Sequence, residues 1–191
     1  HTANGHRAEN PVHHLTKLLT NILSEPLDNG NEYFLATSIQ VPTFDVGNSA
    51  HNVIPEYARA TINIRFNDHH TAESLINWIK IKINEVFADL KNASCSLTEE
   101  ISARSFINKK GELTDIMSKS IAEATGRNEK PQLATDGGTS DARFIKNYCE
   151  TAELGIRNQT LHQIDEFVYL KDLEDLEKLY LKILENYFFK N

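Results

Sequence analysis

The sequence ARATINIRF, residues 58–66, decides the fold of the first half of the chain. Its apolar residues alternate with polar ones, so that Arg59 and Arg65 fall on the polar face of the segment. A period of two is typical of a half-buried antiparallel strand. We therefore expect a sheet with one face packed on helices and the other face open to solvent.

Two helices are predicted on either side of this strand in the sequence. Asn10 and Pro11 suit the N-cap and the first position of one helix, in which apolar residues recur at helical spacing as far as Leu23. Thr71 suits the N-cap of the other helix, whose apolar stripe extends to Leu90. Both helices can bury such a stripe against the apolar face of the sheet.

Three more segments are predicted to be strands. Residues 37–46 and 92–101 alternate apolar and polar positions, and Pro42 indicates an edge strand or a bulge. If residues 1–4 form the first strand, the order becomes β-α-β-β-α-β. That order is typical of a ferredoxin-like α+β domain, a four-stranded antiparallel sheet with both helices on one face, which we place at residues 1–103.

Residues 104–191 have a different pattern. A helix ending at Gly126, short strands at 132–134 and 151–156, and a closing helix from about Asp172 alternate as in an α/β layer. Two short strands cannot complete a sheet, so we interpret this part as an incomplete segment of an α/β domain. Six residues of the closing helix are predicted to face inward: Leu173, Leu176, Leu179, Tyr180, Ile183 and Leu184.

Composition limits the classes of partner. The 191-residue chain has a net charge of -7 with acidic and basic residues mixed, which argues against nucleic acid. Its apolar segments are shorter than the roughly 18 residues of a membrane span, so we expect a soluble protein with no membrane partner. Cys95 and Cys149 lack metal-site spacing and are interpreted as reduced core residues of a cytoplasmic protein. Because the chain begins with His1 and not Met, we expect a piece of a longer polypeptide.

The candidate site is arranged around the sequence DGGTSD, residues 136–141. Gly137 and Gly138 allow backbone N–H groups to approach a ligand closely, and Ser140 and Asp141 can cap the helix that follows. A glycine turn at a helix N-terminus suits an anion such as a carboxylate. The alternative is a structural turn, which is the commoner role of a Gly-Gly pair before a helix.

Several short segments together resemble the succinyl-diaminopimelate desuccinylase family, within the two-zinc aminoacylase and carboxypeptidase superfamily. They are GGTSDARF at 137–144, ELG at 153–155, Asn158, Leu161-His162, HTA at 1–3, HRAENP at 6–11, NVIP at 52–55 and NIRF at 63–66. The resemblance runs nearly end to end, and the glycine run is its most discriminating part. Family members carry an aromatic-proline pair where this chain has Asn4-Gly5, so no ligand contact is assigned to that turn.

The resemblance implies hydrolysis of N-succinyl-LL-2,6-diaminopimelate to succinate and LL-2,6-diaminopimelate, a step of lysine and diaminopimelate biosynthesis. It implies two Zn²⁺ ions per full-length subunit, with cobalt as a possible substitute, and assigns His162 as the one metal ligand in this chain. The other ligands and a general-base glutamate would lie in an N-terminal segment that this chain does not contain. We therefore expect the isolated chain to be inactive. The alternative for His162 is a solvated residue without a metal, which is the commoner role of a histidine in a turn after a strand.

The resemblance also implies roles for residues outside the metal site. His1 is expected to be catalytic, reaching across a homodimer formed by the lid domain, residues 1–103, to hold the tetrahedral oxyanion in the partner's active site. Six residues are expected to bind substrate: Asn52, Arg65, Ser102, Gly138, Thr139 and Asn158. For Arg65 the interpretation is a bidentate pair with a substrate carboxylate, and the alternative is a solvated strand arginine.

Some residues are given no role in the chemistry. Arg143 is expected to brace the glycine turn more than to bind an anion. The adjacent pairs His13-His14 and His69-His70 are expected to be surface residues, because neighbouring helical positions point about 100° apart.

Two other functions fit the same residues. One is a related deacylase of the superfamily, such as an acetylornithine deacetylase or an aminoacylase. A pocket that accepts succinyl but not acetyl substrates would exclude this alternative. The other is a dimerisation or binding module without catalysis.

Overall fold

A computed structural model describes residues 1–108, 110–126, 130–135, 140–156 and 159–189. The chain divides into two compact units, His1–Ser105 and Phe106–Asn191. Among the described helices, none has both the length and the apolar character needed to cross a membrane.

The first unit contains a short 3-10 helix, Thr2–Arg7, and two longer helices, α1 (Pro11–Leu23) and α2 (Ala72–Phe87). The predicted caps of α1 and α2 are confirmed. The Asn10 side chain accepts a hydrogen bond from the Val12 N–H, and the Thr71 hydroxyl accepts one from the Ser74 N–H, at 3.0 and 3.1 Å. Each cap satisfies a backbone donor that the first turn of a helix leaves unpaired.

The sheet of the first unit consists of β1 (Ser38–Asp45) and β2 (Arg59–Arg65), which pair antiparallel. Apolar residues of β2 are partly buried and polar ones are exposed, as the alternation in residues 58–66 predicts. The register shifts between Gln40 and Thr43, so the irregularity predicted at Pro42 is confirmed as a bulge. Its cause is the missing N–H of proline, which cannot donate to a ladder.

The core of the first unit lies between the helices and one face of the sheet. Leu18 and Ile22 of α1 and Val86 of α2 are buried together, and Ile39 and Ile62 of the two strands pack against them. The unit is therefore a mixed helix and sheet layer, which agrees with the predicted α+β class.

Two predicted strands of the first unit are wrong. The N-terminal residues form the 3-10 helix because the His1 ring accepts a hydrogen bond from the Ala3 N–H and the Thr2 N–H donates to the Asn52 carbonyl, at 3.1 and 3.0 Å. Residues 92–101, all of them described, form no ladder, although Cys95 packs against the core as the alternation suggests. The described sheet therefore has two strands, and the ferredoxin-like order is not reproduced.

The loop between α1 and β1 is tightly folded around Gly30. This glycine has φ +73°, and a Cβ there would lie 2.5 Å from the Phe34 carbonyl oxygen and 2.7 Å from the Ala36 nitrogen. Both atoms belong to the backbone, so neither can move without opening the loop. Gly30 is therefore required by its conformation and by its surroundings.

We expect Gly30→Ala to lower the free energy of unfolding by about 2 kcal/mol or more, since it adds a steric clash to the cost of a left-handed alanine. Gly47→Ala is the matched control: it has φ +66°, but its Cβ would meet only the Tyr57 hydroxyl oxygen, at 3.3 Å. Urea unfolding of the two variants measures the difference. Equal losses of stability would show that the loop yields to the extra methyl group.

The second unit contains α3 (Glu112–Thr125), α4 (Ala142–Ile145) and α5 (Leu170–Phe188). The predicted end of α3 is confirmed, because Gly126 adopts the left-handed conformation at φ +67°. Helices α3 and α5 pack together, and the Asn186 amide donates to the hydroxyl of the fully buried Ser120 at 2.9 Å.

Three expectations for the second unit are corrected. Residues 132–134 and 151–156, which the structure describes throughout, form no strands, because no ladder hydrogen bonds form along them. Only Leu179 and Ile183 of α5 are buried, whereas three of the predicted inward residues are close to half exposed: Leu173, Tyr180 and Leu184. Cys149 is exposed and not a core residue.

Candidate functional site

His1 and Asn52 lie at one corner of the first unit. The Thr2 N–H donates to the Asn52 carbonyl at 3.0 Å, so the residue next to His1 is tied to the turn that carries Asn52. The His1 Nδ1 accepts the Ala3 N–H at 3.1 Å. An imidazole that accepts at Nδ1 carries its proton on Nε2 when neutral, so Nε2 is left as a hydrogen-bond donor.

Arg65 is the last residue of β2 and lies on its exposed face. Its partner in the sheet is Ser38. The contacts that fix this end of the hairpin are not the ones that hold His1 and Asn52. An arginine exposed at the end of a rigid strand can present its guanidinium to a carboxylate.

Ser102 is exposed in the segment that leads out of the first unit. Two residues later, the Arg104 guanidinium donates to the Glu73 carboxylate in the first turn of α2 at 2.7 Å. This surface ion pair holds the segment against α2, so Ser102 is attached to the first unit close to the unit's last residue, Ser105.

His162 lies in an exposed turn of the second unit with an unusual backbone. Its φ is +59° and that of Asp165 is +61°, a conformation that costs energy for residues with a side chain. The turn is closed by the Thr160 hydroxyl, which donates to the Phe167 carbonyl at 2.6 Å and accepts its N–H at 3.1 Å. The His162 N–H donates to the Glu166 carboxylate at 3.3 Å. An exposed histidine in this conformation is a candidate for a functional role.

Residues 136–139, which include the predicted contacts Gly138 and Thr139, lie outside the described residues, as does Asn158. Ser140, the next residue of the glycine run, is described. The Ser140 hydroxyl accepts the Ala142 N–H at 2.9 Å and donates to the Glu153 carboxylate. Ser140 therefore caps the first N–H of α4, as predicted, and connects the helix to residues 153–155. The predicted cap by Asp141 is wrong, because the Asp141 side chain makes no cap hydrogen bond.

Arg143 has a mixed environment. Its guanidinium carbon lies 4.6 Å from the centre of the Phe144 ring, a cation-π contact. Its Nε is buried, with no hydrogen-bond partner among the described residues. The glycines that Arg143 was expected to brace lie outside the described residues, so the bracing role stays a prediction.

No group of three or more potential metal ligands occurs among the described residues. His162 offers an exposed imidazole, which is a suitable zinc ligand when neutral, and the Glu166 carboxylate contacts this residue through its backbone N–H. The donor chemistry of His162 fits one position in a zinc site.

Sequence reasoning missed a buried polar cluster formed by Asp28, Thr37, Asn67 and His70. The sequence offers two signals, the polar runs DNGN at residues 28–31 and NDHH at residues 67–70, and neither was predicted to form a buried cluster. The expectation of surface histidines is wrong for His70, which is bonded to Asp28 at 2.9 Å, and for His14, which is bonded to Glu9 at 2.7 Å; both imidazoles are largely buried.

Comparisons with known proteins give a family and relatives. Residues 1–91 match the peptidase dimerisation domain. The chain is 43% identical over 188 residues to a succinyl-diaminopimelate desuccinylase of Cereibacter sphaeroides, a match that covers 98% of this chain and 49% of the relative. Enzymes of the same name from Paracoccus denitrificans and Bradyrhizobium diazoefficiens are 44% and 45% identical, and 48% of each is covered. The chain spans about half the length of the curated relatives it matches.

Proposed function

We propose that the chain acts in the same hydrolysis as the succinyl-diaminopimelate desuccinylases, which it matches over 98% of its own length. The match of residues 1–91 to the peptidase dimerisation domain supports this proposal. The substrate is N-succinyl-LL-2,6-diaminopimelate, and the products are succinate and LL-2,6-diaminopimelate. The observation that carries the proposal is the match itself, which extends through both units at 43–45% identity. The reaction belongs to diaminopimelate and lysine biosynthesis and takes place in the cytoplasm.

The proposed arrangement assigns one role to each part of the chain. Residues 1–103 form the lid and dimerisation domain, an α+β layer built on the two-stranded sheet described above. Residues 104–191 are the later part of the catalytic domain. The protein forms a homodimer through the lid, and the dimerisation-domain match supports this assignment.

His162 is proposed to be a metal ligand. The strained turn presents its imidazole to solvent, and the Thr160 hydroxyl and the Glu166 carboxylate hold that turn from both sides. Two zinc ions, or cobalt in their place, would supply a water that is nucleophilic at neutral pH and would polarise the succinyl carbonyl.

The remaining residues are proposed to bind and orient the substrate. His1, with its Nε2 proton available, donates to the oxyanion in the partner's active site, and Asn52 at the same corner presents its amide. Arg65 pairs with a substrate carboxylate. Gly138, Thr139, Asn158 and Ser102 complete the contacts around the bound diaminopimelate.

A chimera tests this function. The segment of the Cereibacter sphaeroides desuccinylase that this chain matches is replaced by the chain, and the chimera is assayed with zinc. We expect it to hydrolyse N-succinyl-LL-2,6-diaminopimelate and to leave N-acetylornithine unreacted, whereas the isolated chain gives no turnover. The unmodified relative is the control.

Two outcomes would favour the alternatives. A chimera that prefers N-acetylornithine would point to a related deacylase. A folded, zinc-loaded and dimeric chimera without turnover of either substrate would point to a dimerisation or binding module.

A further inference from the structure

Asp28 is a buried carboxylate at the centre of the loop between α1 and β1. Its side chain is only 7% exposed. One oxygen accepts the Gly30 N–H and the Asn67 side-chain amide, each at 2.7 Å. The other lies 2.9 Å from the His70 Nε2, and the Thr37 N–H is shared between both oxygens at 3.2 and 3.3 Å. A buried carboxylate is tolerated only when it is hydrogen-bonded in this way.

These contacts join the two strands at one end of the hairpin. Ser38 of β1 pairs with Arg65 of β2. Thr37 directly precedes Ser38, and Asn67 follows Arg65 by two residues. Asp28 binds both Thr37 and Asn67, and the Asn67 N–H donates to the Thr37 hydroxyl at 3.4 Å. The backbone on either side of the Ser38 and Arg65 pair is therefore held by one carboxylate.

The cluster uses nearly all of its hydrogen-bonding groups. Besides Asp28, the Asn67 amide donates to the Leu35 carbonyl at 3.0 Å, and its side-chain oxygen accepts the His69 N–H at 2.9 Å. Thr37 and Asn67 are 8% and 3% exposed. A buried polar network whose groups are hydrogen-bonded makes the backbone around it rigid.

The position of this network matters because of the residue beside it. Arg65 carries a long, flexible side chain, and a bidentate pair with a carboxylate requires the guanidinium to be correctly placed. A fixed backbone at residue 65 restricts the positions that the guanidinium can take. A displacement of about 1 Å in a binding group lowers the affinity for the ligand substantially. At the other end of the hairpin, Asp45 and Arg59 pair as exposed residues.

We propose that Asp28, Thr37 and Asn67 form a positioning cluster that fixes Arg65 for binding a carboxylate of a dicarboxylate ligand. The proposal rests on the carboxylate-binding role assigned to Arg65 under the proposed function. Asp28 and its neighbours act through Arg65 and do not touch the ligand.

The test measures succinate binding by the whole chain with isothermal titration calorimetry, which gives the dissociation constant of every variant. Thr37→Val removes the hydroxyl and should weaken succinate binding about fivefold or more, whereas Thr37→Ser keeps the hydroxyl and should restore it. Arg65→Ala should also weaken binding, and adding Thr37→Val to Arg65→Ala should cause no further loss. Asp45→Asn, a change at the far end of the hairpin, should leave binding unchanged.

The outcomes separate this proposal from the assignment of Arg65. If the unmodified chain shows no saturable succinate binding, or if Arg65→Ala leaves binding unchanged, the carboxylate contact is wrong and the positioning role falls with it. If Arg65→Ala weakens binding while Thr37→Val does not, or if the two changes are additive, only the positioning role is overturned. His70→Ala, which removes one donor at the edge of the cluster, replaces Thr37→Val if circular dichroism shows that variant unfolded, and the same outcomes then apply. Turnover by the chimera is measured independently of all of these variants.

Discussion

Replacing Asp28 by alanine is expected to lower the free energy of unfolding of the first unit by about 3 kcal/mol or more. The change leaves the Gly30 N–H, the Thr37 N–H and the Asn67 amide without the carboxylate that accepts their hydrogen bonds. Each buried donor left in this state costs about 1–3 kcal/mol. The loop between α1 and β1 and the strand ends at Ser38 and Arg65 should become more mobile together, since all three donors bind the same carboxylate.

Urea unfolding followed by tryptophan fluorescence measures this loss. Trp78, the one tryptophan of the chain, packs against the core of the first unit and reports directly on its unfolding. Asp45→Ala is the matched control, an exposed aspartate of the same hairpin, and should change stability by less than about 0.5 kcal/mol. Similar losses for the two variants would show that the buried hydrogen bonds of Asp28 add no more stability than an exposed carboxylate does.

The same carboxylate predicts how stability depends on pH. Burial alone would raise the pKa of Asp28, but hydrogen bonds from the Thr37 hydroxyl, the Gly30 N–H, the Asn67 amide and the Thr37 N–H outweigh it and hold the pKa well below its usual range. A lowered pKa in the folded state stabilises the protein above the pKa of the unfolded state, and this stabilisation is lost as the pH falls below about 4. The difference in stability between the unmodified chain and Asp28→Ala should therefore narrow on acidification.

Local features of this fold could be predicted from the sequence, and long-range ones could not. Asn10, Thr71 and Gly126 act on backbone groups within a few positions of themselves, so a short stretch of sequence contains the whole cause. Asp28 binds residues 9, 39 and 42 positions away. Nothing in the DNGN run separates a turn that faces solvent from one whose aspartate is the centre of a buried cluster.

The predicted strands show the same limit. The alternation in residues 92–101 correctly indicated that Cys95 packs on the core, because the side-chain period depends only on neighbouring residues. A ladder needs a partner strand, and pairing is decided by residues elsewhere in the chain. At residues 1–4, a hydrogen bond from Thr2 to Asn52 and a cap from the His1 ring replaced the expected ladder.

For the candidate site, the residues were identified by resemblance and the contacts by the structure. His1 and Asn52 are far apart in the sequence, and no pattern of spacing indicated that their segments are hydrogen-bonded. The left-handed backbone of His162 was equally hidden, because histidine carries no signal for positive φ comparable to that of glycine.

Replacing His162 by alanine in the chimera is expected to lower kcat/KM about a thousandfold or more and to reduce bound zinc from about two ions per subunit to about one. The imidazole is the one metal-binding side chain that the resemblance assigns to this chain, and alanine offers no donor in its place. Zinc content by mass spectrometry and turnover of N-succinyl-LL-2,6-diaminopimelate measure the two effects. His13→Ala, a change at an exposed position of α1, is the control and should alter neither.

The backbone of the turn distinguishes a ligand from a merely structural histidine. His162 has φ +59°, and a small residue relieves little of that strain, so His162→Ala should not stabilise the chain greatly. Glycine adopts this conformation freely, and His162→Gly should therefore raise the stability of the second unit by about 1 kcal/mol while abolishing turnover in the same way. A gain in stability with a loss of zinc is the pattern of a residue kept in a strained conformation for its chemistry. Full zinc content and normal turnover in either variant would instead show that another residue holds the metal.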